Sequence, residues 1–123
     1  MSKFVVTKYG NKKGITKFPD HYVNLAITVD DTGITANADG KKIVPAGTII
    51  GNGILNDITK LGKKAVTTTG VSNAEGVLFE DVDVTYGPAP GALMIHGFVD
   101  LGKIPTAPTA EEITALKQIT FLK

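Results

Sequence analysis

From Tyr22 onward, short β-branched and aromatic runs are cut by a turn sequence about every 8–12 residues, and this punctuation decides most of what the chain can become. Tyr22-Val23-Asn24-Leu25-Ala26-Ile27-Thr28-Val29 stops at Asp30-Asp31-Thr32-Gly33. Asp39-Gly40 marks a tight turn before Lys41 to Val44, and Pro45-Ala46-Gly47 opens a loop before the short strand Thr48 to Gly51. Glycine and Asx residues allow the backbone to reverse sharply, whereas β-branched side chains favour an extended chain. The expectation is a mostly β, small barrel- or sandwich-like domain.

The rest of the chain is assigned on the same logic. Residues 54–64 have apolar positions at helical spacing (Ile54, Leu55, Ile58, Leu61) but form a short stretch that ends at Gly62, so helix and loop both fit. Ser72 followed by Glu75 reads as an N-cap opening at most one helical turn before Gly76. Leu78, Glu80, Val82 and Val84 fall on one side and Phe79, Asp81 and Asp83 on the other, as in a strand. Pro88-Ala89-Pro90-Gly91 reads as a rigid turn, and Ala92 to Val99 as an apolar strand interrupted by His96 and Gly97. Thr109-Ala110-Glu111-Glu112 is a capping box, predicting one short C-terminal helix from Glu111 to about Ile119 with Ile113, Leu116 and Ile119 on one face. Residues 1–20 are lysine-rich and broken by Gly10, Gly14 and Pro19. They read as an extended N-terminal arm, or as the first strand of the fold, ahead of a single domain over 21–123.

Composition removes whole classes of function. At 123 residues the chain fits one domain with its own core. Its 42% hydrophobic and 20% charged residues suit a folded protein and not a disordered one. The net charge is +1 and every basic residue is lysine. Without the guanidinium fork, and without a basic stripe, nucleic-acid binding is not expected. Cysteine is absent, which excludes disulfides and thiolate chemistry. The beginning MSKFVVTKYGNKKG has no signal-peptide pattern and no stretch is long and apolar enough for a membrane helix, so synthesis in a cytoplasm is expected and no membrane partner.

The search for chemistry yields weak candidates. His21 and His96 could serve as base or ligand, yet neither has a second histidine or carboxylate at ligand spacing, and both are read as structural or solvated. Asp81 and Asp83, two apart on a strand, could form a carboxylate pair or hold calcium; partners for nearby turns is the favoured reading. Asp30-Asp31-Thr32-Gly33 looks like half a calcium loop but lacks the later glutamate, so it is a turn. No nucleophile elbow, P-loop or dinucleotide fingerprint occurs. The expectation is a protein that is not an enzyme, with no cofactor and no metal.

One resemblance is specific enough to name. Ala74-Glu75-Gly76-Val77-Leu78-Phe79-Glu80-Asp81-Val82-Asp83-Val84-Thr85, followed by His96-Gly97-Phe98-Val99-Asp100, resembles the pattern A-x-G-[ILV]-L-[FYL]-x-D-V-D-V-T … H-G-x-V-[ND] of head decoration proteins of tailed bacteriophages, the lambda type and its relatives in phages of Gram-positive hosts. Val44 to Gly51 resembles the strand that precedes this pattern. Together they span residues 44–104, about half of the chain.

The resemblance implies a β-rich protein that forms a homotrimer on the outer surface of the expanded capsid, at local threefold positions of the virion, against the major capsid protein. On this reading Lys3, Phe4, Val5, Val6 and Thr7 are the capsid-binding candidates, since an extended apolar segment is suited to strand addition. Pro88, Pro90, Ile119, Phe121 and Leu122 are the candidates for the oligomer interface. The alternative is a head fibre-type virion domain binding carbohydrate or a host surface, against which stand the absence of Trp and the presence of only three Tyr.

Overall fold

The extended run that the sequence marks first is strand β1 (Tyr22–Val29) of the computed structural model, which describes residues 15–18 and 20–123. It is followed by β2 (Ile43–Val44), β3 (Ile49–Gly51), β4 (Lys63–Lys64), β5 (Thr67–Thr68), β6 (Val71–Ser72), β7 (Ala74–Leu78), β8 (Val82–Asp83) and the long β9 (Ala89–Asp100). A 3-10 turn (Leu101–Lys103), helix α1 (Ala110–Ala115) and β10 (Ile119–Leu122) complete the chain. Among the described residues strand makes up 41% and helix 8%, so the mostly β expectation holds. The capsid-binding candidates Lys3 to Thr7 lie outside the described residues.

The main sheet has the order β1-β9-β7-β3-β4, with antiparallel neighbours, and β10 joins β9 in parallel from Ile119 opposite Gly97. β2–β8 and β5–β6 are separate two-stranded ribbons. β1 and β4 stand at opposite ends of the sheet. An isolated bridge joins Val29 to Gly62, the residue just before β4, so the sheet curls far enough for its ends to touch. It does not close into the barrel that was one of the two expected forms.

Side chains alternate across a strand, so adjacent residues in the middle of the sheet face opposite ways. Ile50, Leu78 and Leu93 join Ile27, Val29, Val44, Val82 and Val84 in one core cluster, which includes the β2–β8 ribbon. Their immediate neighbours Ile49, Val77 and Met94 join Ile15, Val99, Leu116 and Ile119 in a second cluster, beneath the C-terminal residues and the incoming N-terminal segment. Both faces are therefore covered. This explains why β3 and the centres of β7 and β9 read as continuous apolar runs without polar alternation. Val77, Leu78, Leu93 and Met94 are all fully buried, each contributing about 1.5–3 kcal/mol.

Two glycines permit this geometry. A Cβ at Gly76 would lie 2.6 Å from Leu93 Cγ and 2.7 Å from the Met94 carbonyl oxygen, so β7 can approach β9 only because the side chain is missing. Gly97 has φ +153° and sits beside a bulge: Val23 faces His96 while Asn24 faces Met94, which leaves Ile95 unpaired with β1.

Several expectations are corrected. Ser72 is not a helix cap: it is buried in β6, its hydroxyl accepts from the Ala74 N–H at 3.1 Å, and residues 74–78 form a strand. Residues 54–61, where helix and loop both fitted, are successive turns, because the Asp57 carboxylate accepts from the Thr59 N–H at 3.1 Å and its hydroxyl at 2.5 Å, a local pairing that competes with helix. Of its apolar positions only Ile54 is buried; Leu55 and Ile58 are exposed. The supposed rigid turn at Pro88–Gly91 opens β9, with Pro90 opposite Thr28. Proline is tolerated there because β9 at Pro90 has β1 on one side and no second paired strand. The helix is capped as expected, Thr109 Oγ1 accepting from Glu112 N and Glu112 Oε1 accepting from Thr109 N, but it ends at Ala115. Ile119-Thr120-Phe121 is β-branched and aromatic and pairs with β9 instead, while Ile113 is exposed.

Val82→Asp would place a carboxylate without a cation inside the first cluster and is expected to cost more than ~4 kcal/mol. Gly76→Ala should cost about 2–3 kcal/mol by overpacking against Leu93. Thermal or denaturant unfolding checks both; unchanged melting would contradict burial of Val82 in the first cluster in the one case and the β7–β9 packing in the other.

Candidate functional site

The carboxylates that the sequence singles out hold the chain's own backbone. Asp81 lies in the turn before β8 and accepts from the Ala46 N–H at 2.8 Å. Asp83 accepts from the Thr85 N–H at 2.9 Å and from the Thr85 hydroxyl, and this hydroxyl accepts from Lys42 N at 2.9 Å. These bonds, the hydroxyl's first and the backbone's second, hold the Asp83 carboxyl below the ordinary carboxylate range. The two acids thus brace separate turns and do not form a pair across a cleft.

Asp30 and Glu75 follow the same pattern. Asp30 is 6% exposed. Its Oδ1 accepts from the Thr32 N–H at 3.3 Å and the Thr32 hydroxyl at 3.2 Å, and its Oδ2 lies 3.6 Å from Lys63 Nζ. Burial is the largest single influence and raises its pKa; the Thr32 bonds and the Lys63 charge together outweigh it, so the net shift is downward. Glu75, expected to cap its own helix, instead reaches across from β7 and accepts from Ile54 N at 2.6 Å and Leu55 N at 3.0 Å. It caps a turn twenty residues earlier in the chain.

The histidines are the one constellation that sequence reasoning missed. His21, on the turn before β1, and His96, in β9, bring their Nε2 atoms to 2.9 Å. His96 Nδ1 lies 3.1 Å from Gln118 Oε1. Phe98 stands 5.6 Å from the His21 ring and meets Phe18 edge-on at 5.3 Å. No sequence signal marks this pair, because its members are 75 residues apart and meet only through the β1–β9 register. Among the described residues no group of three or more His, Cys, Asp or Glu side chains is placed to hold a metal ion.

A groove of about 340 Å³ opens where Val29, Ile34, Ile43 and Val44 face Pro105 and Ala107, with Asp30, Lys63 and Glu112 also lining it. Its lining comes from separate stretches of chain, each too short to signal it in the sequence. The groove is mainly aliphatic and contains no histidine or serine among its lining residues.

The interface candidates fall into two groups. Pro88 and Pro90 are exposed at the start of β9. Ile119 is buried in the second core cluster, and Phe121 and Leu122 are half-buried where β10 lies along β9. Ile119 is therefore already covered within the chain itself. Exposed aliphatic side chains lie elsewhere, at Val66 before β5 and Val71 in β6, at Leu55 and Ile58, and at Val23 and Ile113. No helix among the described residues is long and apolar enough to cross a membrane. A scan of protein-family models finds none that matches the chain, and a search of curated proteins finds no match.

Because its folded-state pKa is lowered, ionised Asp30 stabilises the fold fully above its unfolded value, about 3.9, and that stabilisation fades as the pH falls through the lower folded value. Asp30→Asn should cost about 1–2 kcal/mol at pH 7, and the gap from wild type should narrow below about pH 4. Urea melts at pH 7 and pH 3 test this; a constant gap would remove the charge from the account.

Proposed function

We propose that this chain decorates the outside of an expanded bacteriophage capsid, binding the major capsid protein as a homotrimer at local threefold positions. One observation carries the reading: the two stretches that resemble head decoration proteins, 44–51 and 74–104, lie side by side as one structural unit. Val44 pairs with Val82 and Ile49 with Val77. Gly47 N donates to the Leu78 carbonyl at 2.7 Å and Leu78 N to the Thr48 carbonyl at 2.8 Å. Asp81, at the centre of the pattern, closes the unit through Ala46. A pattern made of such residues specifies a scaffold, and the polar groups within it are engaged in building that scaffold.

On this reading the work is done by surface complementarity. Many copies on a symmetric shell gain avidity, so each contact can be modest and still reinforce the lattice. Lys3, Phe4, Val5, Val6 and Thr7 supply the contact to the major capsid protein by strand addition. The body offers that segment a fixed origin. Ile15 is buried, its carbonyl accepts from Asp100 N at 2.8 Å, Thr16 bridges to Val99, and Lys17 N donates to the Phe98 carbonyl at 2.8 Å. Pro88 and Pro90 remain accessible for contact between subunits. No cofactor is required, the product is a virion component on the outer capsid surface, and it is made in the host cytoplasm.

Deleting residues 2–14 leaves Ile15 and the Thr16–Val99 bridge in place. The expected outcome is a cooperative melt close to that of the full chain, a solution mass of three subunits, and loss of co-pelleting with expanded empty heads. Full co-pelleting by the deleted protein would overturn the assigned role of the arm, and a monomeric mass at working concentration would overturn the trimer.

A further inference from the structure

We propose that His21 and His96 form a two-imidazole site for a divalent first-row transition ion of the nickel, copper or zinc type. A first-row ion sits about 2.0–2.1 Å from an imidazole nitrogen, so two nitrogens bound at angles between square and tetrahedral lie about 2.9–3.4 Å apart. The two Nε2 atoms are 2.9 Å apart, at the short end of that range. The ring centroids are 4.9 Å apart and the ring planes are inclined at 64°. His21 is exposed on a turn, so its ring can open the spacing by a few tenths of an ångström and solvent can fill the remaining coordination positions.

Gln118 already holds the other nitrogen of His96. With Gln118 Oε1 accepting from His96 Nδ1–H at 3.1 Å, His96 keeps its proton on Nδ1 and presents the Nε2 lone pair. A ligating histidine characteristically has its other nitrogen held this way, which fixes tautomer and ring orientation. Without an ion, His21 Nε2–H donates to that lone pair. On binding, His21 carries its proton on Nδ1 instead, both Nε2 lone pairs turn to the ion, and no proton need be lost. Hydrogen-bonded neutral imidazoles are exchanged for a chelate.

The consequence is local and concrete. His21 lies just before β1 and His96 lies in β9, so a bound ion would add a cross-link beside the Tyr22–Gly97 pair and the backbone bonds of Ile15 and Lys17 to β9. Ion binding to the native state raises apparent stability in proportion to the logarithm of free ion concentration.

The test uses the untagged full chain and Ni²⁺ alone, with Mg²⁺ as a control because it selects oxygen ligands. Calorimetry should give one Ni²⁺ per chain, and the melting temperature should rise with Ni²⁺ but not with Mg²⁺, by about 10 °C at a hundredfold excess over the dissociation constant. His21→Ala, an exposed substitution that leaves the fold intact, should lose at least tenfold in affinity. Gln118→Ala should lose about tenfold as a positioning residue. Equal Ni²⁺ affinity in wild type and His21→Ala would overturn the site, as would a Mg²⁺ response matching that of Ni²⁺.

Discussion

The structure depends on the contact between β7 and β9. Gly76 lets the two strands close to a distance that any Cβ would block, and from that pairing Leu78 and Leu93 are sent to one face and Val77 and Met94 to the other. Each face then needs its own cover. The β2–β8 ribbon supplies Val44 and Val82 on one side, and Leu116, Ile119 and Ile15 supply it on the other. Stability is thus divided between two clusters that share one pair of strands, and a fault at the shared pair is felt by both.

The polar residues serve the same end. Asp30, Asp57 and Asp83 each accept from a threonine two residues later, and Glu75 and Asp81 accept from backbone N–H groups far away in sequence. Turns expose donors that no strand partner satisfies, and carboxylates are strong acceptors for them. A chain of many short strands has many such turns. These five acids are consequently spent on architecture, which is why Asp81 and Asp83 resemble chemistry in the sequence and prove to be braces.

How much of this was legible depended on whether the deciding interaction was local. β1, the turns at Asp30–Gly33 and Asp39–Gly40, and the Thr109–Glu112 capping box are set by neighbours within a few residues, and all were readable. The misread segments were decided by distant partners. Residues 74–78 became a strand because Gly76 fits against Leu93, not a turn started by Ser72. Ile119 left the helix to pair opposite Gly97, and Pro90 entered a strand because Thr28 lay beside it. The histidine pair is the extreme case, since the spacing of His21 and His96 carries no signal until the register of β1 on β9 brings the rings together.

Covering both faces of the central sheet also limits where a partner can bind. With Val77, Leu78, Leu93 and Met94 sealed, what remains is loops and strand edges, and the edges are not equivalent. β4 at one end consists of Lys63 and Lys64, both exposed, and lysines on an edge discourage another strand from pairing there. β1 at the other end meets Gly62 beside Thr28 to Asp30, while Tyr22 and Val23 at its beginning are exposed. A body of this kind cannot engulf a ligand across its main sheet without dismantling a core. It can meet neighbours through loops, through a strand edge, through the groove between Val44 and Pro105, or through a segment attached to it.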